Sequence, residues 1–224
     1  MRYPQHARPY QEFPRDNVWA AAAAAYRING EYLKEDRYEA NAEGLVAVSK
    51  RRNFTVMKDV LRELSFTEAD IERGREIREL VEQRLTFNTL TGRALSQFDQ
   101  NILDATARDS FSMSRDAMTL GLIAFVPEYI ARAVRRDAAD STISEARSEP
   151  VGKVGERVDI QLTIVDCQFS AKYLIYFCRA VDAQNRAVRF SYKNQMSAGT
   201  DLKLRGTVTD YNEGITRLNR VKVL

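Results

Sequence analysis

The sequence predicts an α+β protein, an N-terminal α-helical bundle followed by a C-terminal five-stranded β-barrel. Two observations carry that prediction. Apolar residues recur at helical spacing up to about residue 140, then alternate strictly from about residue 151. Charge changes at the same place: residues 151–224 hold 12 Lys and Arg against 7 Asp and Glu, whereas residues 1–150 hold 22 against 24. At 224 residues the chain has length for two small domains, each with its own core. The expected layout is a flexible arm at 1–15, a helical domain at 16–140, a linker at 141–150 and the barrel at 151–224.

Met1 to Pro14 contains Pro4, Pro9 and Pro14 with Tyr3, Tyr10 and Phe13 between them, and reads as an extended arm. Asp16 or Asn17 is placed to cap a helix that runs through the alanine tract and stops at Asn29-Gly30, a strong breaker pair. The run Val18–Tyr26 is too short to span a bilayer, which takes ~20 apolar residues. Its alanines instead suit a helix packed closely against a neighbour, and no membrane association is expected.

Glu31 to Ala47 gives no clear periodicity. Lys50-Arg51-Arg52, read as a solvated face, precedes a helix over Phe54–Leu64. Ser65 with Glu68 forms a capping-box pattern opening a helix to about Leu85, and Ser96 with Asp99 opens another. Arg73, Arg75 and Arg78 on the first of these are interleaved with Asp70, Glu72, Glu76, Glu79 and Glu82, which suits ion pairs and would repel a duplex. A further helix is expected from near Ser112 or Ser114, kinked or restarted at Pro127, and continuing to about Ala139.

Five strands follow, at Arg157–Cys167, Lys172–Val181, Arg186–Lys193, Asp201–Asp210 and Ile215–Val223. An all-β unit of this size with five short strands fits an OB-fold, a barrel that binds oligonucleotides across its second and third strands and flanking loops, with an SH3-like barrel of similar strand count as the fold-level alternative. The polar turn Asp182-Ala183-Gln184-Asn185 joins those two strands as a hairpin. On the third strand Val188, Phe190 and Tyr192 face inward, with Arg189 and Lys193 outward.

The second strand leaves two parities open. Leu174, Tyr176, Cys178 and Ala180 inside is preferred, because the other set buries Arg179 unpaired. Tyr173, Phe177 and Arg179 then lie outward, whereas a one-residue slip would make Tyr176 the exposed aromatic. On the fourth strand Lys203 and Arg205 share a face, with a bend or bulge at Gly206. Tyr211 sits at the last turn, followed by Arg217 and Arg220. Aromatics among cations suit single-stranded nucleic acid: rings stack unpaired bases and charge follows the phosphates. The candidate binding residues are Tyr173, Tyr176, Phe177, Arg179, Arg189, Lys193, Lys203, Arg205, Tyr211, Arg217 and Arg220.

Several chemistries lack their residues. His6 is the sole histidine and lies in the arm, so no His-based nucleophile or metal site is expected, nor any cofactor or enzymatic activity. The short first turn of the barrel should set Val165 or Asp166 opposite Tyr173. That leaves Cys167 and Cys178 out of register and unbridged, as suits a reducing cytoplasm.

The stretch Val151–Val158, the turn at Asp182–Asn185, and the ending Gly199–Val208 through Leu218–Val223 resemble an OB-type module of bacteriophage single-stranded DNA-binding proteins. A segment like Gly121–Tyr129 often precedes that module. The whole arrangement is similar to the single-stranded DNA-binding cofactors that N4-like phages use with their own RNA polymerase. Arg189 stands where that pattern has an aromatic, and the hairpin turn lacks its glycine. The resemblance implies a homo-oligomer in the host cytoplasm that binds single-stranded DNA and serves phage transcription or DNA replication. With no acidic tail after the last strand, a partner such as a phage RNA polymerase or replication protein would be met by the helical region. The alternative is an assembly protein whose barrel makes protein contacts.

Overall fold

The computed structural model describes residues 11–40 and 44–224; of the expected arm, Tyr3, His6 and Tyr10 lie outside these residues. The chain divides into two compact units, Met1–Arg132 and Ala133–Leu224. The division therefore precedes the expected linker.

In the first unit, the middle of α1 (Arg15–Asn29) is buried on every side: Val18, Trp19 and all six alanines from Ala20 to Ala25 are at most 4% exposed. Alanine makes this possible, because its short side chain lets neighbouring backbones approach. α2 (Asn53–Glu63) and α3 (Glu68–Leu90) pack on it. At the crossing with α3 stands Gly74, where an added Cβ would lie 2.6 Å from the backbone of Trp19 and Ala20. The close packing expected of the alanine tract is therefore present. α4 (Gln97–Thr106) and the first half of α5 (Ala117–Ser144) contribute Ile102, Leu120, Ile123 and Val126 to the same core.

Several local expectations are corrected. Residues 12–14, assigned to the arm, form a strand, β1 (Glu12–Pro14), because Phe13 is drawn into the core opposite Phe111 of the other half of the pair. Asp16 does not cap α1; Pro14 occupies that position without a side-chain hydrogen bond, and Asp16 reaches Arg75 and Arg78 of α3. The indeterminate region after Gly30 contains a hairpin of β2 (Arg37–Ala40) and β3 (Val46–Lys50). The capping box of α3 is Thr67 with Asp70, two residues after the Ser65–Glu68 pattern. That of α4 is Ser96 with Asp99, as expected.

Ser112, one of the two expected helix starts, instead ends β4 (Ser110–Ser112), the partner of β1; α5 begins only at Ala117, after Asp116 accepts a 2.7 Å bond from the Ser112 N–H. α5 continues through Pro127 to Ser144 without restarting. By length and composition it could cross a membrane, but Leu120, Ile123, Ala124, Val126 and Ile130 lie in the core.

The second unit is a closed barrel. Its strands are β5 (Arg157–Ser170), β6 (Ile175–Asp182), β7 (Ala187–Tyr192), β8 (Asp201–Asn212) and β9 (Ile215–Val223), joined in the order β5-β6-β7-β9-β8. All neighbours are antiparallel except β7 and β9. β5 is long enough to serve both ends of the closure, pairing β8 with its first half and β6 with its second. Ile160, Leu162, Ile164, Cys178, Ala180, Val188, Phe190, Leu204, Val208 and Leu218 fill the interior. Gly206 lies at a register shift in β8, where a Cβ would come within 3.2 Å of Leu218.

The residues between helix and barrel belong to the barrel unit. Ser141–Ser144 completes α5, the Arg147 N–H donates to the Asn185 carbonyl at 2.7 Å, and Val151 N–H donates to Thr216 Oγ1 at 3.1 Å.

Candidate nucleic-acid interface

The register of β6 resolves the open parity in favour of the preferred set. Cys178 and Ala180 are buried, and Phe177 and Arg179 point away from the core. Leu174 departs from it: the strand begins only at Ile175, and Leu174 sits in the turn at φ 54° with 73% of its surface exposed.

The larger correction concerns β5, which runs three residues beyond the expected end at Cys167. Lengthening the strand shifts the turn to Ala171–Leu174 and sets Cys167 directly opposite Cys178, where the two form a disulfide. The expectation of unbridged cysteines is thereby overturned, and with it the ground on which a reducing cytoplasm was inferred.

Beyond the disulfide the β5–β6 hairpin carries aromatics on both faces. Phe169 pairs in register with Tyr176, their rings 5.1 Å apart; on the other face the rings of Tyr173 and Phe177 stand 6.1 Å apart, nearly perpendicular. Phe169, Tyr173 and Phe177 are 55%, 57% and 43% exposed, a large apolar surface to leave in water. Tyr176 is half-buried against the barrel core. The Lys172 ammonium lies 5.2 Å from the Tyr173 ring centre, within cation–π range. Phe169 and Lys172 were missed because the turn was placed too early; the alternation Cys167, Phe169 was the available signal.

One row across the outer wall gathers three predicted cations. Arg179 on β6 is opposite Arg189 on β7, which is opposite Arg217 on β9; Asp166 on β5 and Asp210 on β8 close the row at its two ends. The members differ in freedom. Arg179 is bound by Asp140 at the end of α5 and by Asp166 at 2.9 Å. Burial acts to lower its pKa, but the two carboxylates outweigh it and hold the guanidinium charged. A cleft of about 270 Å³, lined by Asp140, Ser144, Ser148 and Glu213, opens beside it. Arg189 and Arg217 are exposed, and among the described residues neither meets a carboxylate within ion-pair distance.

Other predicted residues fall elsewhere. Lys193 is exposed just past β7. Lys203 and Arg205 lie towards the opposite end of β8, against Gln161 and Asp159 of β5. Arg205 is engaged by Asp159 at 2.6 Å, and its hydrogen bond lowers the Asp159 pKa. Arg220 is exposed on β9, while the Tyr211 hydroxyl meets Ser148 Oγ at 3.2 Å. In the β6–β7 turn Asp182 accepts from the N–H groups of Gln184 and Arg186 and from the Arg186 guanidinium, so Arg186 is committed to the turn. Among the described residues no group of three or more His, Cys, Asp or Glu could hold a metal ion.

Comparison with known proteins finds no matching family model, no matching curated protein and no matching solved structure.

Proposed function

We propose that this protein is a non-enzymatic, non-sequence-specific single-stranded DNA-binding protein whose barrel is an OB-fold. The carrying observation is Arg189 and Arg217, exposed and in register on adjacent strands and meeting no carboxylate within ion-pair distance among the described residues, on the same outer wall as Phe177, whose exposed ring pairs with that of Tyr173. Such an arrangement offers phosphate contacts and a stacking surface without base-edge selectivity. The fold assignment is supported by the Greek-key closure, in which β9 inserts between β7 and β8. In this reading the helical unit self-associates or recruits replication or transcription machinery.

Fluorescence anisotropy with labelled oligo(dT), duplex DNA and RNA over a salt series tests the proposal. Binding to oligo(dT) that weakens steeply with salt is expected, since each neutralised phosphate of a single strand contributes a slope near −0.7. Absence of binding at about 50 mM salt, or an affinity indifferent to salt, overturns it.

A further inference from the structure

The second half of β5 is an edge strand. Its pairing with β8 ends where Thr163 faces Asp201, and from Asp166 to Ser170 it pairs, among the described residues, with β6 alone. A register shift between Ile164 and Asp166 interrupts the ladder just before that stretch. β6 is held on both sides over the same rows, because Tyr176, Phe177 and Cys178 also pair with Tyr192, Ser191 and Phe190 of β7. A ladder supported from one side only is marginal in water. The Cys167–Cys178 disulfide ties the edge to the held strand at this point, one row past the pair of Asp166 and Arg179. Beyond it the edge carries Phe169, and the turn at Ala171–Leu174 carries Tyr173.

We propose that Cys167–Cys178 is a reversible redox staple: closed, it fixes the edge that presents Phe169 and Tyr173; open, it frees that edge while Phe177 stays in place on β6. The two sulfurs differ in access, Cys178 being 1% exposed and Cys167 half-buried. A low-molecular-weight thiolate therefore attacks Cys167 Sγ, forming a mixed disulfide and expelling the Cys178 thiolate, which takes up a proton. A second thiolate attacks the small-molecule sulfur of that mixed disulfide, releases Cys167 as a thiol after protonation, and leaves as the oxidised small disulfide. Two electrons pass from two thiols to the protein, and the reverse sequence closes the staple again. The cross-link joins residues 11 apart and restricts the loop between them; opening it returns that freedom to the edge and the turn. Rings already held in place stack on bases without a further ordering step, so the closed form binds single-stranded DNA more tightly. In that respect the inference rests on the proposed function, but the staple itself exists without DNA.

The full chain, equilibrated with glutathione disulfide or with dithiothreitol, tests it by three readings: iodoacetamide labelling after unfolding, amide hydrogen exchange, and oligo(dT) anisotropy. Intact mass should show no label on the oxidised protein and both cysteines labelled on the reduced one. Exchange should quicken on reduction from Asp166 to Leu174 and stay unchanged in β7, β8 and β9. Oligo(dT) affinity should fall by roughly tenfold on reduction, the effect of losing one stacked base, and return on reoxidation. Phe169→Ala and Tyr173→Ala should weaken binding in the oxidised state only, whereas Phe177→Ala should weaken it in both. Cys167→Ser should match the reduced wild type under either condition; if it does not fold, the wild-type readings still decide. Labelled thiols under glutathione disulfide, equal exchange and affinity in the two states, or quickened exchange through the whole barrel overturns the inference. Redox-dependent exchange at the edge without oligo(dT) binding in either state would leave the staple standing and overturn the DNA-binding reading instead.

Discussion

Arg189 of β7 stands directly opposite Arg217 of β9, in the parallel ladder that closes the barrel. Like charges held side by side on neighbouring strands repel one another. Arg179, next in the row, has that repulsion offset by ion pairs with Asp140 and Asp166, whereas among the described residues Arg189 and Arg217 make no ion pair, although Asp210 faces Arg217 across the ladder. Two neighbouring cations not held by carboxylates are poised for an anionic ligand. Arg189→Glu and Arg217→Glu should each weaken oligo(dT) binding and make the salt slope shallower by about 0.7, with little change in thermal stability. Arg179→Ala should do the reverse, lowering stability more than it lowers affinity. Anisotropy and thermal melts of the three variants distinguish these outcomes.

The exposed rings should matter through stacking. Phe177→Ala and Tyr173→Ala should each cost about 1 to 3 kcal/mol in oligonucleotide binding, and Phe169→Ala a similar amount if both faces of the hairpin carry bases. Quenching of tyrosine fluorescence by added oligo(dT) should fall in Tyr173→Phe. Equal affinity of all three alanine variants and wild type would remove the hairpin from the interface.

In the helical unit, Gly74→Ala should destabilise by at least about 1 to 3 kcal/mol, the range for an overpacked core. The added methyl meets backbone at 2.6 Å rather than a side chain that can turn aside. The urea midpoint of the variant measures this.

Asp70 should make stability depend on acid. Hydrogen bonds from Arg27, at 2.8 and 2.9 Å, and from the Thr67 backbone and hydroxyl hold its pKa down to about 2 in the folded protein. A carboxyl with a depressed folded pKa stabilises above its unfolded value near 3.9 and loses that contribution as pH falls towards 2. The contribution is on the order of 2 kcal/mol at neutral pH. Asp70→Asn should therefore be less stable than wild type at pH 7, and the gap in urea midpoints should narrow between about pH 4 and pH 2.

How much could be seen in the sequence depended on how local each feature was. Strand alternation from β5 to β9, the Ser96–Asp99 cap and the Asn29-Gly30 stop are written within a few residues of themselves. The first turn of α3 shows the limit. Ser65 with Glu68 and Thr67 with Asp70 both fit a capping box, and the choice between them follows Arg27, which grips Asp70 from a helix forty-three residues away. β1 and β4 are three residues each and separated by most of the helical unit, so neither could announce the other. In the interface, alternation gave the direction of Phe177, Arg179 and Arg189, but it could not supply Asp140, the distant carboxylate that removes Arg179 from the free cations.

The salt link from Asp140 to Arg179, with the Arg147–Asn185 bond seven residues later, also decides where the molecule can be cut. A fragment begun at Val151 would leave Arg179 with one carboxylate and the β6–β7 turn without its neighbour. One begun at Ala133 would keep both, so a self-sufficient barrel fragment should carry the end of α5, which the alternating pattern alone would have discarded.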